Sequence, residues 1–404
     1  MPNEVLEKYT QNQMQILRQI AQQDHVTRSQ LVELTGFQLL TITKTVRQLL
    51  RDGLLTEVGF EDSTGGRKAV LLSINPTFRY TLAVDLGSTC ARIGVVGMDG
   101  SVIESEIVNS PIQKNGLCKM PACPLTVTEL REKLQKLIDK YTKEKILGIG
   151  LVISGIVRHS EGRIVFCPNI SGWNEVDVIR ELQEPLGVPV FADSSGRGMA
   201  LAESRFGAGR GIRNQIAVSI GNSVSVGIIL DGQLYRGANE AAGELGHVAV
   251  RSDTLRCTCG NTGCLELYVA HQIISSRVRK RLKASEGFSV LRPADPTDLT
   301  LPSAKQIVLA AEQGDRIALD VLTEASESLG LALSQLVNIL NPELIILGGA
   351  TIDSYPSLLA DTQRIVRMRS MSVLQQDLKI RRYQLGLMSA MIGAALQVID
   401  RFFE

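Results

Sequence analysis

Two short runs, G-E-L-G-H at residues 243–247 and C-T-C-G-N-T-G-C-L-E at residues 257–266, decide how this chain is read. Together they hold three of its seven cysteines and one of its four histidines. His247, Cys257, Cys259 and Cys264 make a Cys₃His set, the soft-ligand composition of a closed tetrahedral zinc site. Four protein ligands leave no open position for a metal-activated water, so the expected Zn²⁺ is structural. Gly260 and Gly263 supply the tight turns that let the sulfurs converge. Three unengaged loop cysteines, or disulfides, are the competing readings. Cys90, Cys118, Cys123 and Cys167 are scattered, and no signal peptide precedes them, which favours the metal.

The same runs place two carboxylates beside the metal set. Glu244 lies three residues before His247, on one side of a helical turn, and Glu266 follows Cys264 by two. Carboxylates accept hydrogen bonds from hydroxyl donors, which suits a sugar. The two motifs resemble the signature of the ROK family, which contains sugar kinases and sugar-responsive repressors.

Outward from this stretch, 404 residues with ordinary apolar content are enough for two or three domains. The net charge of +1 argues neither for nor against a nucleic-acid partner. The sequence shows no apolar run of membrane-spanning length, since residues 146–157 are too few. A cytoplasmic protein with reduced thiols is the expectation.

At the N-terminal end, residues 9–23 read as an amphipathic helix carrying Met14, Leu17, Ile20 and Ala21 on one face. Thr27 opens a second helix through a capping box with Gln30; Leu31 and Leu34 are expected to point inward, and Gly36 ends it. A third helix over residues 39–52 buries Ile42, Val46, Leu49 and Leu50. Residues 54–58 and 68–74 then alternate as a strand pair. That order is a winged helix-turn-helix, with the third helix in the major groove of double-stranded DNA. Thr41, Thr43 and Lys44 are candidates for base edges, and Arg47 and Arg51 for phosphates. Arg67 and Lys68, after two glycines, sit at the wing tip. A helical protein-interaction module with a solvated basic face is the alternative. T-I-T-K-T-V-R-Q-L-L-R-D-G-L-L and S-T-G-G-R-K resemble the head of Mlc/NagC-type repressors, although Leu39 and Leu40 stand where those relatives tend to carry Pro and Ala.

Beyond Asn75-Pro76 the pattern becomes strand hairpins and then strand–helix alternation, and the order recurs after residue 215. Such duplication predicts an α/β, actin/hexokinase-like two-lobed domain with ligands between the lobes. The expected boundaries are 1–78 for the winged head, 79–192 for lobe 1 and 193–386 for lobe 2. The C-terminal helix, 387–404, completes lobe 1, and lobe 2 carries the zinc loop 247–264.

A sugar kinase of this fold needs glycine-rich turns whose amides wrap ATP phosphates. The first turn, Asp85 to Cys90, resembles the family's D-x-G-G-T-[KN], with Ser88 for a Gly and Cys90 for a polar residue. The second, Gly221 to Gly227, carries Ser223, Ser225 and Val226 where ATP-using relatives show roughly G-T-G-x-G-x-G. The Gly348-Gly349 pair survives. Asp193 matches the general base of kinase relatives, which carry N-D-x-N, but lies between Ala192 and Ser194-Ser195. It reads as a vestigial catalytic residue, a sugar contact or a helix N-cap. Asn169 and Trp173 fall in a stretch resembling the P-N-x-x-G-W sugar loop; Asn169 is then a hydroxyl ligand, and Trp173 a sugar-loop or interlobe packing residue.

The resemblance therefore implies sugar ligands Asn169, Asp193, Glu244, His247 and Glu266, and the departures from it imply degraded phosphate loops and no enzymatic activity. The expected function is a transcriptional regulator of sugar uptake or metabolism. Its signal would be a sugar, a sugar phosphate or a sugar-phosphotransferase protein, and its DNA-bound form a homodimer or tetramer. An ATP-dependent sugar kinase with a regulatory head is the rival reading.

Overall fold

A computed structural model of the chain describes residues 6–23, 25–61, 68–110, 123–252, 255–284, 288–295, 298 and 300–403. It opens with three helices, α1 (Gln11–Ala21), α2 (Arg28–Thr35) and α3 (Leu39–Arg51), and an antiparallel pair, β1 (Leu55–Phe60) and β2 (Val70–Ile74). Thr10 and Thr27 cap α1 and α2 reciprocally with Gln13 and Gln30. Gly36 ends α2 at φ 71°, a conformation a Cβ would oppose. α3 buries Ile42, Thr45, Val46 and Leu49 at helical spacing. Leu34 departs from expectation. It is 48 % exposed, because α2 runs only eight residues and buries Leu31 but not the turn beyond it. Arg67 lies outside the described residues.

Two five-stranded sheets follow. The first comprises β3 (Tyr80–Leu86), β4 (Cys90–Gly97), β5 (Val102–Asn109), β6 (Ile146–Ile153) and β9 (Val190–Ser194), in the order β5-β4-β3-β6-β9. A small hairpin, β7 (Ile156–Arg158) and β8 (Arg163–Phe166), stands between its last two strands in sequence. The second comprises β10 (Gln215–Ile220), β11 (Val224–Leu230), β12 (Gln233–Tyr235), β13 (Leu344–Gly348) and β14 (Lys379–Arg382), ordered β12-β11-β10-β13-β14. In each sheet the first three strands are antiparallel and the last two join in parallel, so the sheets share one topology. The inner parallel strands β6 and β13 are buried along their whole length, as strands covered on both faces must be.

The helix Ser195–Phe206 leaves β9 and packs against the final helix, Ser389–Phe403. A Cβ on Gly393 would lie 1.8 Å from the Gly198 carbonyl oxygen, so the two helices touch backbone to backbone. Residues 386–403 form an apolar stretch long enough to cross a membrane, but 67 % of it is buried inside the chain, as a core helix requires. Its last turn reaches the N-terminal head. Phe402 and Phe403 share one apolar cluster with Ile16, Leu17 and Ile20, and Arg18 Nε donates to the Phe403 carbonyl at 2.6 Å. Trp173 is a core residue of the first lobe rather than an interlobe contact: it is fully buried, and its Nε1 donates to Leu125 O at 2.8 Å.

Candidate functional site

The metal-ligating set converges. Ligand atoms of His247, Cys257, Cys259 and Cys264 lie within 4.8 Å of one another, with Cys257 Sγ 3.5 Å from His247 Nδ1 and Cys259 Sγ 3.7 Å from Cys264 Sγ. A tetrahedral zinc with bonds of about 2.3 Å to sulfur sets sulfurs roughly 3.8 Å apart, so a metal ion fits these donors. The loop is folded for the purpose by Gly260 at φ 93° and Gly263 at φ 68°; a Cβ on Gly263 would lie 1.9 Å from Arg251 O. Burial lowers the His247 pKa, keeping a neutral ring whose Nδ1 faces the sulfurs.

The other nitrogen of that ring is turned toward Glu244. His247 Nε2 stands 3.9 Å from Glu244 Oε2. Glu266 Oε2 accepts from Val224 N at 3.0 Å, and its carboxylate also takes a hydrogen bond from Asn169. Burial, reinforced by the neighbouring Glu244 charge, lifts Glu266 to about 7. Burial also raises Glu244, against the lowering influence of Arg197. Asn169, Glu244, His247 and Glu266 are thus linked by a chain of contacts, although they come from three separate segments.

Asp193 joins them differently from the sequence expectation. Ser194 takes the N-cap role, its hydroxyl accepting from Arg197 N at 3.4 Å. The Asp193 side chain is fully buried. Its Oδ1 accepts from Arg197 Nη1 at 2.6 Å and Ser194 N at 2.8 Å, and its Oδ2 from Arg236 Nη1 at 2.8 Å. Arg197 Nη2 also donates to Glu240 O. Two guanidinium groups therefore hold the carboxylate that a general base would need free. Arg197 is near Asp193 in sequence, but the pair forms across the junction of β9 with the helix Ser195–Phe206 and not along one helix face. Arg236, from the end of β12, was not legible in the sequence.

Asp85 is treated in the same way. It faces Arg92 directly across the β3–β4 register, and Arg92 Nη1 donates to its Oδ2 at 3.0 Å while Ser195 Oγ donates to Oδ1 at 3.3 Å. Burial raises its pKa and Arg92 opposes the rise. Nearby, Ser225 Oγ accepts from Gly196 N at 2.7 Å, occupying an amide in the first turn of the helix Ser195–Phe206. Asn222 Nδ2 donates to Ser88 Oγ at 3.3 Å, tying the two expected phosphate turns to each other. The cavity between these turns is about 130 Å³, against roughly 300 Å³ or more for usual small-molecule sites.

On the head, Lys44, Arg47, Arg51 and Lys68 are exposed, and Thr41 and Thr43 are half-buried. Leu39 and Leu40, which stand where the repressor heads tend to carry Pro and Ala, are both exposed at the start of α3.

A profile described as the ROK family matches residues 81–401. The xylose repressor of Caldicellulosiruptor bescii is 29 % identical over 96 % of this chain and 95 % of its own length. The DNA-binding transcriptional dual regulator NagC of Escherichia coli is also 29 % identical, over 95 % and 91 %. Among solved structures, a ROK family transcriptional regulator homologous to E. coli Mlc covers 97 % of this chain and 96 % of its own, with TM-score 0.75 and 27 % identity. A ROK family glucokinase from Streptomyces griseus, solved with glucose and AMPPNP, covers 98 % of its own chain but 79 % of this one, with TM-score 0.63 and 26 % identity.

Proposed function

Because the chain belongs to the ROK family, we propose that it is a sugar-responsive, DNA-binding transcriptional repressor built on that family's actin/hexokinase-like fold, and not a sugar kinase. One observation carries the choice: both carboxylates that phosphoryl transfer would use are held by guanidinium groups, Asp85 by Arg92 and Asp193 by Arg197 and Arg236. A general base must be free to take a proton from the attacking hydroxyl. The likeness to named repressors over nearly the whole chain, head included, supports the same reading.

In this reading residues 1–78 form a winged helix-turn-helix. Residues 79–192 with 387–404 form one lobe, and 193–386 the other. Zn²⁺ on His247, Cys257, Cys259 and Cys264 would cross-link the loop that presents Glu244 and Glu266; that is its whole chemistry here. Asn169, Glu244, His247 and Glu266 would receive the hydroxyls of a sugar or sugar phosphate, with Asp193 acting through its arginine pairs. A sugar-phosphotransferase protein is the other candidate signal. The repressor would act in the cytoplasm as a homodimer or tetramer, placing recognition helices about 34 Å apart on duplex DNA.

The deciding experiment pairs an ADP-release assay, run with xylose, glucose and N-acetylglucosamine, with mobility shift on duplexes selected from random sequence. Sequence-selective shifts and no sugar-dependent ATP consumption are expected. ATP turnover abolished by Asp193→Asn would overturn the proposal. Two variants refine it. Glu244→Ala is expected to abolish release from DNA by sugar while leaving sugar-free DNA affinity within about twofold; loss of both would make Glu244 a folding residue. Arg47→Ala is expected to flatten the log–log salt dependence of binding by about one unit, as one phosphate contact is lost. An unchanged slope would remove Arg47 from the interface.

A further inference from the structure

Leu39 and Leu40 open α3 and are 56 % and 63 % exposed, while the opposite face of the same helix is buried in the head. Steps of four, three and four residues place Leu40, Lys44, Arg47 and Arg51 on one ridge, and all four are exposed. The N-cap residue, Gln38, makes no side-chain capping bond and is exposed beside them. A leucine left in water forgoes about 1.5–3 kcal/mol of burial, so an apolar pair leading a basic ridge calls for a partner with the same arrangement. Duplex DNA has it. Phosphates meet the cations, and the apolar group on the major-groove floor is the 5-methyl of thymine.

We propose that Leu39 and Leu40 read thymine methyl groups in each operator half-site, making these residues determinants of A·T specificity through apolar contact. This rests on the DNA-binding reading above and adds to it which bases are read, and by which atoms. Replacing thymine by deoxyuridine removes only that methyl. The full chain is used to select duplexes from a random pool, and each thymine of the selected site is then replaced singly. At one or two positions per half-site, deoxyuridine should weaken binding about fourfold, the value of one buried methyl. A Leu39→Ala/Leu40→Ala variant, altered only on the surface, should bind thymine and deoxyuridine duplexes equally. Undiminished affinity at every replaced position would overturn the proposal, as would an equal deoxyuridine loss in the variant. If the leucines instead seat a second copy of the chain, deoxyuridine will have no effect and the variant will self-associate less, which also overturns it. Recovery of no site at all would sink the DNA-binding reading itself, whereas a site insensitive to deoxyuridine would sink this inference alone.

Discussion

Cys264→Ser is expected to strip the chain of its metal and to lower its melting temperature by roughly 10 °C. Cys264 is fully buried, and serine is close to it in size, so little packing is lost. What is lost is a thiolate at the centre of the cluster, 3.7 Å from Cys259 Sγ, on the residue that bridges to Ala249 across the loop. Structural zinc binds such sets with an apparent free energy of about 10 kcal/mol or more, and that energy is folding energy. The surrounding lobe keeps its own apolar core, so we expect about 3–5 kcal/mol of it to appear as destabilisation. At about 2–4 °C per kcal/mol for a domain of this size, the melting shift follows. Elemental analysis should find about one zinc per wild-type chain and none in the variant. Cys90→Ser, outside the cluster, should change neither quantity. A wild type free of zinc, or a variant that keeps both its metal and its melting temperature, would refute the assignment.

Arg197→Met is expected to cost about 3–5 kcal/mol in urea denaturation, the range for removing one partner of a buried ion pair. Arg197 and Asp193 are both fully buried and meet at 2.6 Å, so the substitution leaves the carboxylate with Arg236 as its remaining guanidinium partner and His159 Nδ1 3.9 Å away. Adding Asp193→Asn to Arg197→Met should recover at least half of the loss. The uncompensated charge is gone, the amide oxygen still accepts from Arg236, and Arg236 is a quarter exposed and so partly solvated. Additive losses in the double variant would mean that Asp193 and Arg197 do not act as a pair. Neither variant should acquire sugar-dependent ATP turnover, because Asp85 remains held by Arg92.

Local rules made much of the scaffold legible. The capping box at Thr27, the glycine stop at Gly36 and the apolar face of α3 all follow from residues within four positions of each other. The repeated strand order could be read from the recurrence of strand, turn and strand, and it appears as two sheets of one topology. The convergence of His247 with three cysteines was likewise written in their spacing. What escaped depends on long-range placement. Arg92 opposes Asp85 only once the β3–β4 register is fixed, and Arg236 reaches Asp193 from 43 positions away. Leu34 looked interchangeable with a buried leucine, since periodicity over an eight-residue helix says little about where its neighbours stop.

The final helix has a mechanical consequence. Ser389, at its start, lines the cleft between the expected phosphate turns, and Phe403, at its end, is pinned to Arg18 under the head. Fifteen residues at 1.5 Å each make a rod of about 22 Å, gripped about a third of the way along, where Gly198 meets Gly393. That contact would be the pivot of any tilt. A small tilt imposed at the cleft end would reappear at the far end in the opposite sense, so one continuous element would carry news of an occupied cleft to the N-terminal helices without a relay of side chains.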